Sequence, residues 1–254
     1  MTRADRAQGF TLIEIAIVLV VIGLLLSGGL LAIAPVLQSS RVTETEGKLD
    51  RIEEALVLHA IINGCLPCPA TGATASTVAT AGQAVDDTGG AYATGCANDA
   101  CTNAQGVVPW QNLGLSEADA TDGFGYRISY SVTAALTLDG GMDRAGTSYP
   151  AGNITITNTV PVNLTTIAGY ALVSHGDDHS LGFATGSGVQ TIDPNGSANQ
   201  TENSDAAADG ATVTFVQDDL INVSGANHFD DIVRWRTAPL IVQLCGAGAC
   251  GNPS

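Results

Sequence analysis

Three carboxylate doublets, Asp177-Asp178, Asp218-Asp219 and Asp230-Asp231, are the residues of this chain whose type and spacing most readily do chemistry. Close like charges repel, and a divalent cation relieves that repulsion while pinning the segment that carries them. Calcium suits such groups, because it takes six to eight oxygens from carboxylates, carbonyls and water. The candidate calcium ligands are therefore Asp177, Asp178, Asp218, Asp219, Asp230 and Asp231. Which doublets converge is open, and solvated turn aspartates in an acidic chain are the competing reading. The first doublet lies inside His175-Gly-Asp-Asp-His179. Two histidines four apart share a face only on a helix, whereas Gly176-Asp177-Asp178 predicts a turn, so the pair is a weak zinc motif. No serine–histidine–aspartate order or paired-carboxylate cleft motif stands out, and the chain does not read as an enzyme.

Six cysteines offer a second chemistry: Cys65, Cys68, Cys96, Cys101, Cys245 and Cys250. An even count predicts disulfides formed in an oxidising compartment, with 15 pairings open. The short segments CANDAC and CGAGAC could each close locally, and Cys245 to Cys250 is the expected C-terminal bridge. Cys65-Leu-Pro-Cys68 imitates a redox or zinc motif, but no second such motif or ligand-spaced histidine follows it.

A third chemically marked group is Glu14, at the edge of a run with no charge from Ile15 to Ala34. About 20 apolar residues suffice to span a bilayer as a helix. Ahead of the acid stand Arg3 and Arg6 and the junction Gly9-Phe10-Thr11-Leu12-Ile13-Glu14. A secretory signal would instead place its small-residue cleavage site after the apolar segment. A carboxylate in a membrane helix is costly, which marks it as functional.

This arrangement resembles the leader of type IV pilins and type II secretion pseudopilins. The resemblance implies cleavage between Gly9 and Phe10 by a prepilin peptidase and N-methylation of Phe10. It also implies that Glu14, fifth residue of the mature chain, pairs with the amine of Phe10 in a neighbouring subunit. Such a pair sets helix register more than it adds stability. The segments LPCP, VPWQNLGL, DGFGYRISY, ALVSHG and DDIVRW, in this order, resemble a pilin-like family. DGFGYRISY and ALVSHGDD are also similar to the head of the major pseudopilin, where a strand leads to a calcium-binding loop.

The elements that must position these groups follow from pattern. From Gln38 to Asn63 the apolar positions Val42, Leu49, Ile52, Leu56 and His59/Ala60 recur on one helix face. Pro35 predicts a bend, Gly64 a C-terminal cap, and Pro67 and Pro69 a stop. One helix over about residues 10–63 is expected, near 80 Å long, membrane or filament core over 10–35 and amphipathic over 36–63. Residues 1–9 read as the cleaved leader and 64–254 as the head. Expected strands are 127–133, 153–158, 166–174, 211–216 and 240–244, with 70–99 an exposed low-complexity loop. Trp110, Phe124, Tyr126, Tyr130 and Trp235 are expected core anchors. The fold class is α+β, a pilin-like long helix on an antiparallel sheet with disulfide-stapled loops.

Composition bounds the partners. Net charge is −16, and beyond residue 63 eighteen acids face Arg127, Arg144, Arg234 and Arg236 alone. Such a head repels phosphate backbones, so nucleic acid is not a partner. The expected partners are other copies or related pilins in a helical filament, the prepilin peptidase and the inner-membrane assembly machinery. The basic leader predicts a single-pass inner-membrane protein with a periplasmic head, passing into a periplasmic or extracellular filament. The reading is a filament subunit, pilin or pseudopilin, with a membrane-tethered or tip-located adhesin as the alternative. No cofactor beyond calcium is expected.

Overall fold

The structure, a computed structural model, describes residues 11–30, 33–86, 89–92, 95–97, 101, 105–142, 151–160, 162–192, 197–204, 213–221, 225–245 and 250–251. Side chains at 25–30 and 33–35 are likewise outside the description. The leader 1–9, the junction residues Gly9 and Phe10, and Arg144 therefore lie outside the described residues. The chain forms two compact units, residues 1–40 and 41–254.

In the first unit α1 spans Leu12–Leu30. Every described side chain from Thr11 to Leu24 is exposed, and all but Thr11, Glu14 and Gly23 are aliphatic. Among the described residues no helix is long and apolar enough to cross a membrane. The uncharged run expected to do so continues past Leu24, where side chains are not described. The second helix, α2, spans Ile33–Asn63. Pro35 falls in its first turn, where the missing N–H needs no partner. The single helix expected over 10–63 is thus described as two, with 31–32 between them outside the description.

The second unit is built on one long strand. Short strands β1 (Ala84–Val85) and β2 (Ala91–Tyr92) pair with each other, as do β4 (Tyr126–Arg127) and β8 (Phe183–Ala184). The main sheet runs β3 (Gln105–Val107), β5 (Ser129–Val132), β7 (Asn163–Ser174), β6 (Ile154–Thr157) and β9 (Thr214–Val216). A sixth strand, β10 (Ile232–Thr237), also pairs antiparallel with β7. Among the described strand pairs, β6–β9 alone is parallel.

Alternation along β7 divides its side chains between two cores, since successive residues face opposite sides of a sheet. Tyr170 and Leu172 join Tyr130, Val132 and Ile232 over the helical face Leu49, Ile52, Leu56 and Ala60. Ala171 and Val173 join Ile154, Ile156, Phe215 and Val233 on the other side. Leu49, Ile52 and Leu56 are fully buried, each contributing about 1.5–3 kcal/mol. Ion pairs flank this seam: Arg234 with Glu46, and Arg236 Nε with Glu53 Oε1 at 3.1 Å. Glu53 Oε1 also accepts the Tyr170 hydroxyl at 2.9 Å. The α2 C-terminus is closed by Gly64, whose φ of +78° suits a glycine cap and whose N–H reaches the Ala60 carbonyl at 2.9 Å.

Several expectations are corrected. Residues 240–244 are helical, within α4 (Ala238–Leu244), because Pro239 suits a first helical turn and Ile241 and Val242 fall together on its buried face. The strand expected over 127–133 breaks at Ile128 into β4 and β5, which belong to different sheets. The 70–99 segment is only partly exposed: residues 76–80 and 89–91 are exposed, whereas Ala70, Ala81 and Ala84 are buried. Fully buried Arg127 organises its start, donating Nη1 to the carbonyls of Gly72 and Thr74 at 2.6 and 2.7 Å. Arg127 Nη2 and Nε also grip Glu117 Oε1 at 2.7 and 2.9 Å, with the guanidinium 5.2 Å from the Trp110 ring centre. Of the expected aromatic anchors, Trp110 and Tyr130 are buried, whereas Phe124, Tyr126 and Trp235 are half-buried. Tyr170, Phe215 and Phe229 carry more of the core than these three.

Cysteine pairing also differs from the local closures considered for CANDAC. Cys65 joins Cys96 and Cys68 joins Cys101, while Cys245 joins Cys250. The first two bridges tie the segment after α2 to residues about thirty positions on, so Cys65-Leu-Pro-Cys68 is neither a redox pair nor a metal half-site.

Candidate functional site

At the start of α1, Thr11 and Glu14 cap one another. The Glu14 N–H points to Thr11 Oγ1 at 3.3 Å, and the Thr11 N–H returns to Glu14 Oε2 at 3.3 Å. This is a capping box, in which a hydroxyl and a carboxylate three residues apart satisfy two N–H groups left over at a helix start. The sequence Thr11-Leu-Ile-Glu14 carries that signature, and the acid sits where the helix dipole favours negative charge. Gly9 and Phe10 lie outside the described residues.

The head holds a second constellation, positioned by the pairing of β7 with β10. Ser174 ends β7 opposite Ile232, which begins β10. Residues just after β7 and just before β10 therefore meet at one end of the strand pair. That register brings together the doublets Asp177-Asp178 and Asp230-Asp231. Asp230 Oδ2 accepts the N–H groups of Asp177 and Asp178 at 2.6 and 2.9 Å. Gly176 allows the approach: its φ is +56°, and a Cβ there would collide with the Asp230 carboxylate. His179 and Leu181 adopt positive φ without being glycine, so this turn stores backbone strain. The Tyr126 ring stacks on His179 with centres 4.0 Å apart.

A short helix, α3 (Ala198–Ser204), completes the setting. Gln200 Nε2 donates to Asp230 Oδ1 at 2.6 Å, and Asn203 Nδ2 donates to Asp231 Oδ2 at 2.7 Å. Both side chains are fully buried. Burial pushes the Asp230 carboxyl above its usual range. His175 contacts the Ser129 hydroxyl through Nε2 at 2.8 Å, and burial lowers its pKa to about 4. It is a neutral imidazole in the fold. His228 comes from the segment before β10, where Ile221 and Phe229 exchange backbone hydrogen bonds. Among the described residues, donor atoms of Asp178, His228 and Asp230 lie within 4.8 Å of one another, close enough to share a metal ion.

The third doublet is held separately. Asp218 Oδ2 accepts the Thr159 N–H at 2.9 Å and also the Thr159 hydroxyl, which lowers its pKa. Asp177 pairs instead with Arg41 of α2 at 3.2 Å. Sequence reasoning missed His228, Gln200 and Asn203. His228 carried a signal, standing two residues before a carboxylate doublet. Gln200 and Asn203 carried none, since only the tertiary placement of α3 gives them a role.

The prokaryotic N-terminal methylation motif matches residues 5–30. No curated protein and no solved structure matches the chain. The matched segment contains Gly9, Phe10, the Thr11–Glu14 cap and the whole of α1, and so this chain carries the leader signature of type IV pilins and pseudopilins.

Proposed function

We propose that the chain is a structural subunit, pilin or pseudopilin, of a type IV pilus or type II secretion filament. The observation that carries this reading is the methylation motif over 5–30, joined to a helix whose described aliphatic side chains are exposed all round. A helix apolar on every side needs lipid or other helices around it. Prepilin peptidase cuts after Gly9 and Phe10 is methylated. Residues 10–35 then serve first as inner-membrane anchor and later as filament core, with the rest of the chain forming the periplasmic head. Glu14 pairs with the Phe10 amine of a neighbouring subunit and fixes helix stagger, because an unpaired charge in a helical bundle is costly.

The capping box allows a clean test of that pairing. Glu14→Gln retains a side chain that can close the cap but removes the charge. Glu14→Val removes both. If charge pairing sets the stagger, both variants insert in the membrane and both fail to give filaments when expressed as the sole copy. Normal filaments from Glu14→Gln, with loss only in Glu14→Val, would show that the acid serves the cap alone.

A further inference from the structure

We propose that Asp178, His228 and Asp230 bind a first-row transition-metal dication of the zinc class. His228 Nε2 stands 3.2 Å from Asp178 Oδ2 and 3.5 Å from Asp230 Oδ1. Nitrogen and oxygen ligands lie about 2.0–2.2 Å from zinc, which sets neighbouring donors about 3.3–3.6 Å apart in a tetrahedral shell. Two edges of a coordination shell are therefore already drawn, and the metal would sit on the side common to all three donors.

His228 supplies the evidence that goes beyond an acidic cluster. It is 7 % exposed, and neither ring nitrogen has a hydrogen-bond partner among the described residues. Its Nε2 points at two carboxylate oxygens without hydrogen-bond alignment to either. A buried imidazole left this way is destabilising, and coordination through Nε2 would satisfy that nitrogen. Gln200 repeats the pattern. Its Nε2 is spent on Asp230, while its buried Oε1 has no hydrogen-bond partner among the described residues.

The surroundings already do what outer ligands do in metal sites, which is to orient the inner ones. Asp230 is fixed by two backbone amides and by Gln200. Asp178 Oδ1 is fixed by the Ser180 N–H at 2.9 Å, leaving Oδ2 turned to His228. The Asp178 side chain keeps 12 % exposure, enough for an ion to enter and for water to complete its shell. An imidazole nitrogen among the donors favours zinc-class metals over calcium, which takes oxygen ligands. A bound ion would tie the turn after β7 to the segment before β10, both already joined through Asp230.

The test uses the full chain, free of any affinity tag, in detergent, with zinc and cobalt chlorides as probes. The expected result is one equivalent of zinc per chain by elemental analysis, a rise in melting temperature, and a visible cobalt absorption of the low-coordinate type. His228→Gln and Asp178→Asn should abolish all three. Gln200→Leu, which touches no metal, should weaken zinc binding by about 10–100-fold. Asp178→Asn changes a partly exposed carboxylate to its isostere, so its metal-free melt reports whether the fold is intact. Absence of zinc binding by the wild-type chain overturns the proposal. Zinc binding that survives both ligand variants, or calcium binding as tight as zinc, overturns it equally.

Discussion

Asp230 Oδ2 accepts the backbone N–H of Asp177 at 2.6 Å, joining residues 53 positions apart. The same oxygen takes the Asp178 N–H, and Oδ1 takes Gln200. One buried carboxylate thereby holds the exit of the central strand, the entry of its partner and a separate helix. Asp230→Ala leaves three donors unsatisfied and should destabilise the metal-free head by about 3 kcal/mol or more. Asp230→Asn retains one acceptor oxygen and sheds a buried charge, so it should recover part of that loss. Denaturant melts of the two variants in chelator check the order; equal stability of Asp230→Ala and wild type would refute it.

Arg127 gives a second test, because a fully buried guanidinium anchors the 70–76 segment. Its guanidinium meets Glu117, Ser76 and two carbonyls at once. Arg127→Met should destabilise the head, at about 1–3 kcal/mol for each buried group left unpaired, because it strands the Gly72 and Thr74 carbonyls and leaves partly exposed Glu117 without its cation. Arg127→Lys should fare little better, since an ammonium cannot reproduce the planar fork. Hydrogen exchange would show protection at 70–76 falling before that of β7. Unchanged exchange there would mean the segment orders itself.

Acid sensitivity should include a contribution from His59. Its imidazole is buried, with Nδ1 3.0 Å from the Cys65 carbonyl, and burial holds its pKa below the usual value of 6.5. The unfolded chain therefore takes up this proton before the folded one does. His59's stabilising contribution is complete above about pH 6.5 and is lost as pH falls below that value. The melting-temperature gap between wild type and His59→Gln should narrow on acidification from about pH 8 to about pH 5. A gap that stays constant would show that His59 does not titrate between the two states.

The disulfides should contribute unequally. Cys65–Cys96 and Cys68–Cys101 close loops of 31 and 33 residues, whereas Cys245–Cys250 closes one of 5. On the chain-entropy estimate the longer loops are worth about 3.7 kcal/mol each and the short one about 2 kcal/mol. Paired Cys→Ser replacement at 65 and 96 should therefore lower the melting temperature more than replacement at 245 and 250. A peptide map of exported protein linking Cys96 to Cys101 would contradict the pairing itself.

The parts legible in sequence are those set by local rules. The face Leu49, Ile52, Leu56 and Ala60, the Gly64 cap and the turn at Gly176 all follow from spacing or backbone freedom, and the structure has them. Long-range pairing was not legible. Nothing local says that β10 lies against β7, and only that register brings Asp178 to Asp230 and His228. The run 240–244 reads as a strand because a short apolar run fits strand or helix equally, and Pro239 in the first turn of Ala238–Leu244 decides for the helix. The start of the 70–99 segment was illegible for another reason: its partners are distant in sequence, Arg127 on the carbonyls of Gly72 and Thr74, Val107 on the Ala70 backbone and the Gly186 carbonyl on the Ser76 N–H.

Processing as a prepilin is read out by the mass of the mature N-terminal peptide. In cells that hold a prepilin peptidase, that peptide should begin at Phe10 and carry one added methyl group on its amine. Replacing Gly9 with a bulky residue should return the peptide to one that still includes Arg3 and Arg6. A mature chain that begins at Met1, or that starts beyond Ala34 with the apolar run removed, would show that the chain is not processed as a prepilin.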